Sequence, residues 1–199
     1  MNIIFKRTLV FLIICFAILF NSLELKAQSF KLPNNYLKIS VAPIFVGEVN
    51  FNYERLFNDK ISTEIAVGFV TDNYLKAFLS ETATINTGKT LIGPSVGGLF
   101  KYYPFSKGDE LYLCAEFKYR RYRKLYSQDG GALTYNEYTQ RMIPRVGVGY
   151  HYFMDEHLFI DFSGNLGLIF EKSRQYGNDS PINNIKLHFG LGLKFGYAF

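Results

Sequence analysis

Apolar and polar residues alternate one for one along most of this chain, and the longest run lies at its end. Ile185, Leu187, Phe189, Leu191, Leu193, Phe195, Tyr197 and Phe199 share one face, while Lys186, His188, Gly190, Gly192, Lys194, Gly196 and Ala198 share the other. Successive side chains of a strand point to opposite sides of its sheet, so this period predicts a β-strand. Strands in ordinary domains run to about 5 to 6 residues. A run this long fits a tilted strand that crosses a bilayer and continues past it.

Seven earlier stretches follow the same rule. The first covers residues 36–45, with Leu37, Ile39 and Val41 on its apolar face. The second covers 49–56, with Val49, Phe51 and Tyr53 opposite Asn50, Asn52 and Glu54. The third sets Ile61, Ile65, Val67 and Phe69 against Ser62, Glu64, Ala66 and Gly68. A fourth, near 91–103, sets Ile92, Val96, Phe100 and Tyr102 against Gly93, Ser95, Gly97 and Lys101. In the fifth, Leu111, Leu113, Ala115, Phe117 and Tyr119 oppose Tyr112, Cys114, Glu116, Lys118 and Arg120. The sixth places Val146, Val148 and Tyr150 against Arg145, Gly147, Gly149 and His151. The seventh places Leu158, Ile160, Phe162, Leu166 and Leu168 against Asp161, Ser163, Asn165 and Gly167.

The connections alternate in length. Those at 57–60, 104–109 and 153–157 are short, whereas 71–90, 127–137 and 175–184 are long and polar; the connection around Gly47 is short and breaks the pattern. Short inner turns, longer outer loops and an even strand count predict an all-β fold: a transmembrane antiparallel up-and-down β-barrel of about eight strands. The polar face is built of Gly, Ser, Ala and Asn with scattered charges, which suits a lumen only wide enough for side chains. A soluble barrel would bury the apolar face and expose the polar one, and its outer face would be richer in Thr, Lys and Glu.

The amino terminus reads as an address. Lys6 and Arg7 precede an apolar run at 9–20, and Ala27 precedes Gln28. That run is shorter than the roughly 20 residues a spanning helix needs, so residues 1–27 are expected to be a cleaved signal peptide and 28–199 the barrel domain. An uncleaved anchor helix is the alternative; a lipoprotein signal at Cys15 is rejected because Ile13 and Ile14 are too bulky. Cys114 alone would remain, so no internal disulfide is expected. Twenty Phe and 15 Tyr without Trp favour strands, and the net charge of +3 expected once residues 1–27 leave, 19 basic against 16 acidic residues, is too mild to predict nucleic acid as a partner.

The hairpin at 49–69 carries Asn50, Tyr53, Glu54 and Arg55, then Lys60, Ser62 and Glu64. This Asn-x-x-Tyr-Glu-Arg and Lys-x-Ser-x-Glu pattern resembles that of a group of small uncharacterised outer-membrane β-barrel proteins of the single eight-stranded type. The ending Phe195-x-Tyr197-x-Phe199 is similar to the carboxy-terminal signal that delivers such barrels to the insertion machinery. The resemblance implies the fold and a bacterial outer-membrane location, and it brings no catalytic residue.

Candidate chemistry falls in three places. Glu54, Glu64, Glu116, Lys118, Arg145 and Lys194 are expected to form an ion network in the lumen, each glutamate paired with a base from Lys38, Lys101, Lys118, Arg145 or Lys194, because unpaired buried carboxylates cost several kcal/mol. If the last hairpin folds symmetrically about its loop, Glu171 faces His188 and Ser173 faces Lys186, a set that an acyl hydrolase or transferase acting on lipid A would need. Arg121, Arg123 and Lys172 are expected near the height of lipopolysaccharide phosphates, which arginine grips through its planar fork. No metal spacing or phosphate loop is present, and no cofactor is expected. The expected role is non-enzymatic, in the envelope or at the surface, by a monomer whose partners are outer-membrane lipid and lipopolysaccharide. The lipid-modifying enzyme is the first alternative and a narrow channel the second.

Overall fold

The computed structural model describes residues 33–72, 89–105, 111–127, 134–175 and 181–199. The expected leader and most of the long loops lie outside the described residues. The elements are β1 (Asn35–Ser40), the helical turn α1 (Ala42–Phe45), β2 (Glu48–Asn58), β3 (Ile61–Val70), β4 (Lys89–Leu91), β5 (Gly93–Tyr102), β6 (Leu111–Ser127), β7 (Thr134–Phe153), β8 (Leu158–Gln175) and β9 (Ile182–Ala198). All strand pairings are antiparallel, and β1 pairs with β9 to close the ring.

Nine segments make eight barrel positions, because β4 continues the line of β5 against β6. Ser95 lies four positions after Leu91 while their partners Arg120 and Arg123 are three positions apart, so one extra residue bulges the strand near Ile92. Followed from partner to partner, Tyr36 leads through Glu54, Glu64, Leu99, Glu116, Arg145 and Gly167 to His188, ten residues short of Ala198, the partner of Tyr36 across the seam. That stagger tilts the strands by about 40° and leaves a narrow lumen lined by side chains.

The expected faces hold along every strand. Phe51, Val67, Val96, Phe117, Val146, Phe162 and Leu191 are exposed on the outside, whereas Lys38, Glu54, Glu64, Lys101 and Asp161 are buried within. An apolar exterior around a charged interior is what a barrel in lipid requires, since antiparallel pairing satisfies the backbone groups that the paired strands turn toward hydrocarbon. The wall is uneven: β1, β2 and β3 have 6, 11 and 10 residues, but β6, β7, β8 and β9 have 17, 20, 18 and 17.

Three expectations need correction. The first strand stops at Ser40, not near 45, because Pro43 lacks the N–H a ladder needs and its fixed φ suits the first turn of α1. Strand structure also runs into the ends of all three long connections, over Lys89–Leu91, Thr134–Phe153 and Ile182–Ala198. The last hairpin is not symmetric about its loop: Glu171 pairs with Asn184, Ser173 with Ile182, and His188 with Gly167.

Close packing in the lumen depends on glycine. A Cβ on Gly196 would lie 2.2 Å from Cζ of Phe159, whose ring is fully buried. Gly196→Val should therefore force that ring aside and lower stability by about 1–3 kcal/mol, read as an earlier loss of the folded gel band in a urea series.

Candidate functional site

The lumen divides into two zones. In the inner zone, near the short turns, Lys38 on β1 lies 3.1 Å from Glu64 and 2.7 Å from Asp161 and bonds Glu54. Lys101 on β5 meets the same three carboxylates at 2.8, 3.2 and 3.1 Å. Lys194 on β9 adds a contact to Glu64 at 2.5 Å. Three cations thus face three carboxylates, and the remaining lone pairs are met by hydroxyls: Ser62 and Tyr103 donate to Glu54, and Tyr112 donates to Asp161. His151 sits at the centre, 5.0 Å from the ring of Tyr112 and 5.1 Å from Phe159, with Tyr36 and Tyr103 at 6.0 and 6.1 Å. Glu54, His151 and Asp161 offer ligand atoms within 4.8 Å of one another, but the Lys38 and Lys101 ammonium groups already supply the positive charge at that point.

The outer zone is looser. Arg145 meets Glu116 at 2.5 Å, Lys118 lies 3.3 Å from Glu48 and 3.9 Å from Glu116, Arg120 pairs with Glu48, and Arg141 pairs with Glu171. Glu116, Lys118, Arg120, Arg141 and Arg145 line a cavity of about 550 Å³. Two buried donors are left over, the Nε–H groups of Arg120 and Arg145, and the ring nitrogen Nδ1 of His188, donor or acceptor according to its tautomer, has no hydrogen-bond partner either.

Glu54, Glu64, Glu116, Lys118, Arg145 and Lys194 therefore all point into the lumen, divided between the two zones. Sequence reasoning left Glu48, Asp161, His151, Arg120 and Arg141 out of the network. The alternation already placed Asp161, His151 and Arg120 on the polar face, which was the available signal. Ser173, Glu171 and His188 do not come together. Glu171 is held by Arg141, and His188 pairs six residues further along β9 than Ile182, the partner of Ser173, or roughly 20 Å away along the strand.

On the outside of the tall wall, Arg121 lies beside Gln140 and Gln140 beside Lys172; one step further out, Arg123 lies beside Tyr138 and Tyr138 beside Arg174. The Arg123 guanidinium stands over the Tyr138 ring at 5.7 Å. The row beneath is apolar, running Tyr119, Met142, Phe170. At the opposite end, the turn after β7 is capped by Asp155, whose carboxylate accepts the N–H groups of Leu158 and His157 at 2.6 and 2.7 Å; these bonds hold its carboxyl below the ordinary range.

A ring of antiparallel strands, an apolar exterior and a charged interior define a transmembrane β-barrel of the outer-membrane type. No family profile matches the chain, and no curated protein matches it in sequence. Among solved structures it is similar to a major outer membrane protein from Thermus thermophilus, with a TM-score of 0.46 and 13% identity over 83% of this chain and 98% of that one.

Proposed function

We propose that this protein is an outer-membrane barrel with a non-enzymatic envelope role, and that its tall wall binds lipopolysaccharide through the two cationic rows. The rows themselves carry the reading. Arg121 stands ten residues out from Leu111, which at a 40° tilt is about 25 Å, the height of an outer-membrane apolar belt. Acyl chains would lie against Tyr119, Met142 and Phe170, with the phosphates above them meeting Arg121, Lys172, Arg123 and Arg174. Neighbouring strands are about 4.8 Å apart, so Arg121 and Lys172 stand roughly 10 Å apart, a reach that suits a headgroup bearing more than one phosphate. Export by a cleaved leader and delivery through the Phe195, Tyr197 and Phe199 signal belong to the same reading, supported by the sequence.

The test is the double variant Arg121→Gln and Arg123→Gln. Lipopolysaccharide that co-purifies at low salt should fall several-fold while folded migration on unheated gels is unchanged, and raising the salt should lower the wild-type level too, because exposed charge attraction is screened. Unchanged bound lipid would show that the rows are only solvated.

A further inference from the structure

The β1–β9 seam is incomplete. Its ladder runs from Tyr36–Ala198 to Ser40–Lys194, and one more bond joins the Val41 N–H to the Leu193 carbonyl at 2.8 Å. There the chain leaves the wall as α1, while β9 continues outward beside β8 as far as the Ser173–Ile182 pair. Among the described residues, no strand pairs with the free edge of β9 from Ile182 to Gly192. Phe189 and Leu191 stand ten and eight residues from Phe199, or about 25 and 20 Å up the tilted strand, so the gap opens toward the outer part of the apolar belt.

The cavity reaches this gap. It is lined from inside by Arg145, His188 and Gly190, and from outside by Phe189, Leu191 and Leu193, with Pro43, Phe45 and Val46 across from them. Among the described residues, the seam side of β9 has no neighbouring strand outward of Leu193, and Pro43 and Phe45 of α1 with the following Val46 are what face the cavity there. Gly190 marks the passage: a Cβ there would lie 2.5 Å from Nη1 of Arg145 and 3.3 Å from the His188 ring. The guanidinium thus reaches across the lumen to the edge of the opening. Its side chain is only 9% exposed, yet its Nε has no partner.

Charge indicates what fits. Lys118, Arg120, Arg141, Arg145 and Lys194 line the cavity with Glu64 and Glu116, and Glu48 and Glu171 pair with Arg120 and Arg141, so five buried or half-buried cations meet four carboxylates; Lys186, 3.8 Å from Glu171, is exposed to solvent. One negative charge would balance the set, and buried donors without acceptors mark where an anion or ordered water is held. We propose that the outer lumen and its side opening bind a monoanionic amphiphile with a single acyl chain, of the fatty-acid class. Its carboxylate would sit on Arg145, Arg120 and His188, and its chain would leave past Gly190 to lie against Phe189, Leu191 and Leu193 in the bilayer. A volume of about 550 Å³ is within the range of small-molecule sites. This site is separate from the cationic rows and does not depend on them.

The experiment uses the full barrel in detergent micelles. Palmitate should bind one to one, hexadecanol at least tenfold more weakly, and acetate or inorganic phosphate should not compete. A palmitate with a photoreactive group at its methyl end should cross-link to residues 189–193 in preference to the rest of the belt. The charge-balanced pair Arg145→Met with Glu116→Leu should weaken palmitate at least tenfold, and Gly190→Leu, which removes no charge but fills the passage and crowds the Arg145 guanidinium, should do the same. Equal binding of acid and alcohol, labelling spread evenly around the barrel, or competition by free phosphate would each overturn the proposal. So would unchanged affinity in both variants, which would leave water as the partner of those donors.

Discussion

Replacing Asp161 by alanine should cost the barrel about 3–5 kcal/mol, the scale for leaving a buried charge without its partner. Its carboxylate holds Lys38 at 2.7 Å and Lys101 at 3.1 Å and accepts the Tyr112 hydroxyl, in a zone where all of these groups are buried. Without it, three ammonium groups would face two carboxylates. The loss would appear as a much lower urea concentration for disappearance of the folded band on unheated gels. Adding Lys101→Met to Asp161→Ala restores charge balance, and that double variant should be more stable than Asp161→Ala alone, a coupling that a double-mutant cycle reads directly. Asp155→Ala, which removes an exposed turn carboxylate, should have a small effect. Equal losses from the two aspartates would show that the inner network does not hold the lumen together.

Planar bilayers carrying the unaltered barrel should show no stepwise current. Tyr36, Tyr112 and Phe159 are fully buried around His151, and with the ion network they fill the inner zone. The outer cavity is then a pocket closed at its inner end. Replacing Tyr36 and Phe159 together by alanine should remove two sides of that closure and give discrete openings, at a cost of about 3–5 kcal/mol for each large side chain removed. Steady conduction by the wild type would revive the channel reading, and a variant that folds but stays silent would show that the ion network alone seals the lumen.

The side of the wall that each residue faces was legible in the sequence because it depends only on parity. Glu54, Glu64, Lys101 and Asp161 were assigned to the polar face by counting in twos, and the structure puts them inside. Register was not legible, because it depends on the connections. The last hairpin places Glu171 opposite Asn184 and not His188, and nothing in residues 176–181 reveals that asymmetry. The end of β1 was hidden for a related reason. Val41 keeps the alternation going, and only Pro43, two residues later, signals that the ladder must end. The opening beside β9 follows from that early stop, so it was beyond the reach of pattern reading, whereas parity alone put Arg121, Arg123 and Lys172 on the outer face, and their alignment into rows came from register.

The unequal wall has a consequence in the plane of the membrane. A strand needs about 9–11 residues to cross a bilayer, so β6 to β9 rise some 6 to 11 residues above it, β2 and β3 end near its surface, and β1 stops short of it. The described part of the molecule is therefore shaped like a chair with a back, and the edge of β9 stands where back meets seat. Such a body has a compass bearing among its neighbours. Two copies side by side can meet back to back, front to front or in file, and these arrangements leave different amounts of open membrane in front of the seat.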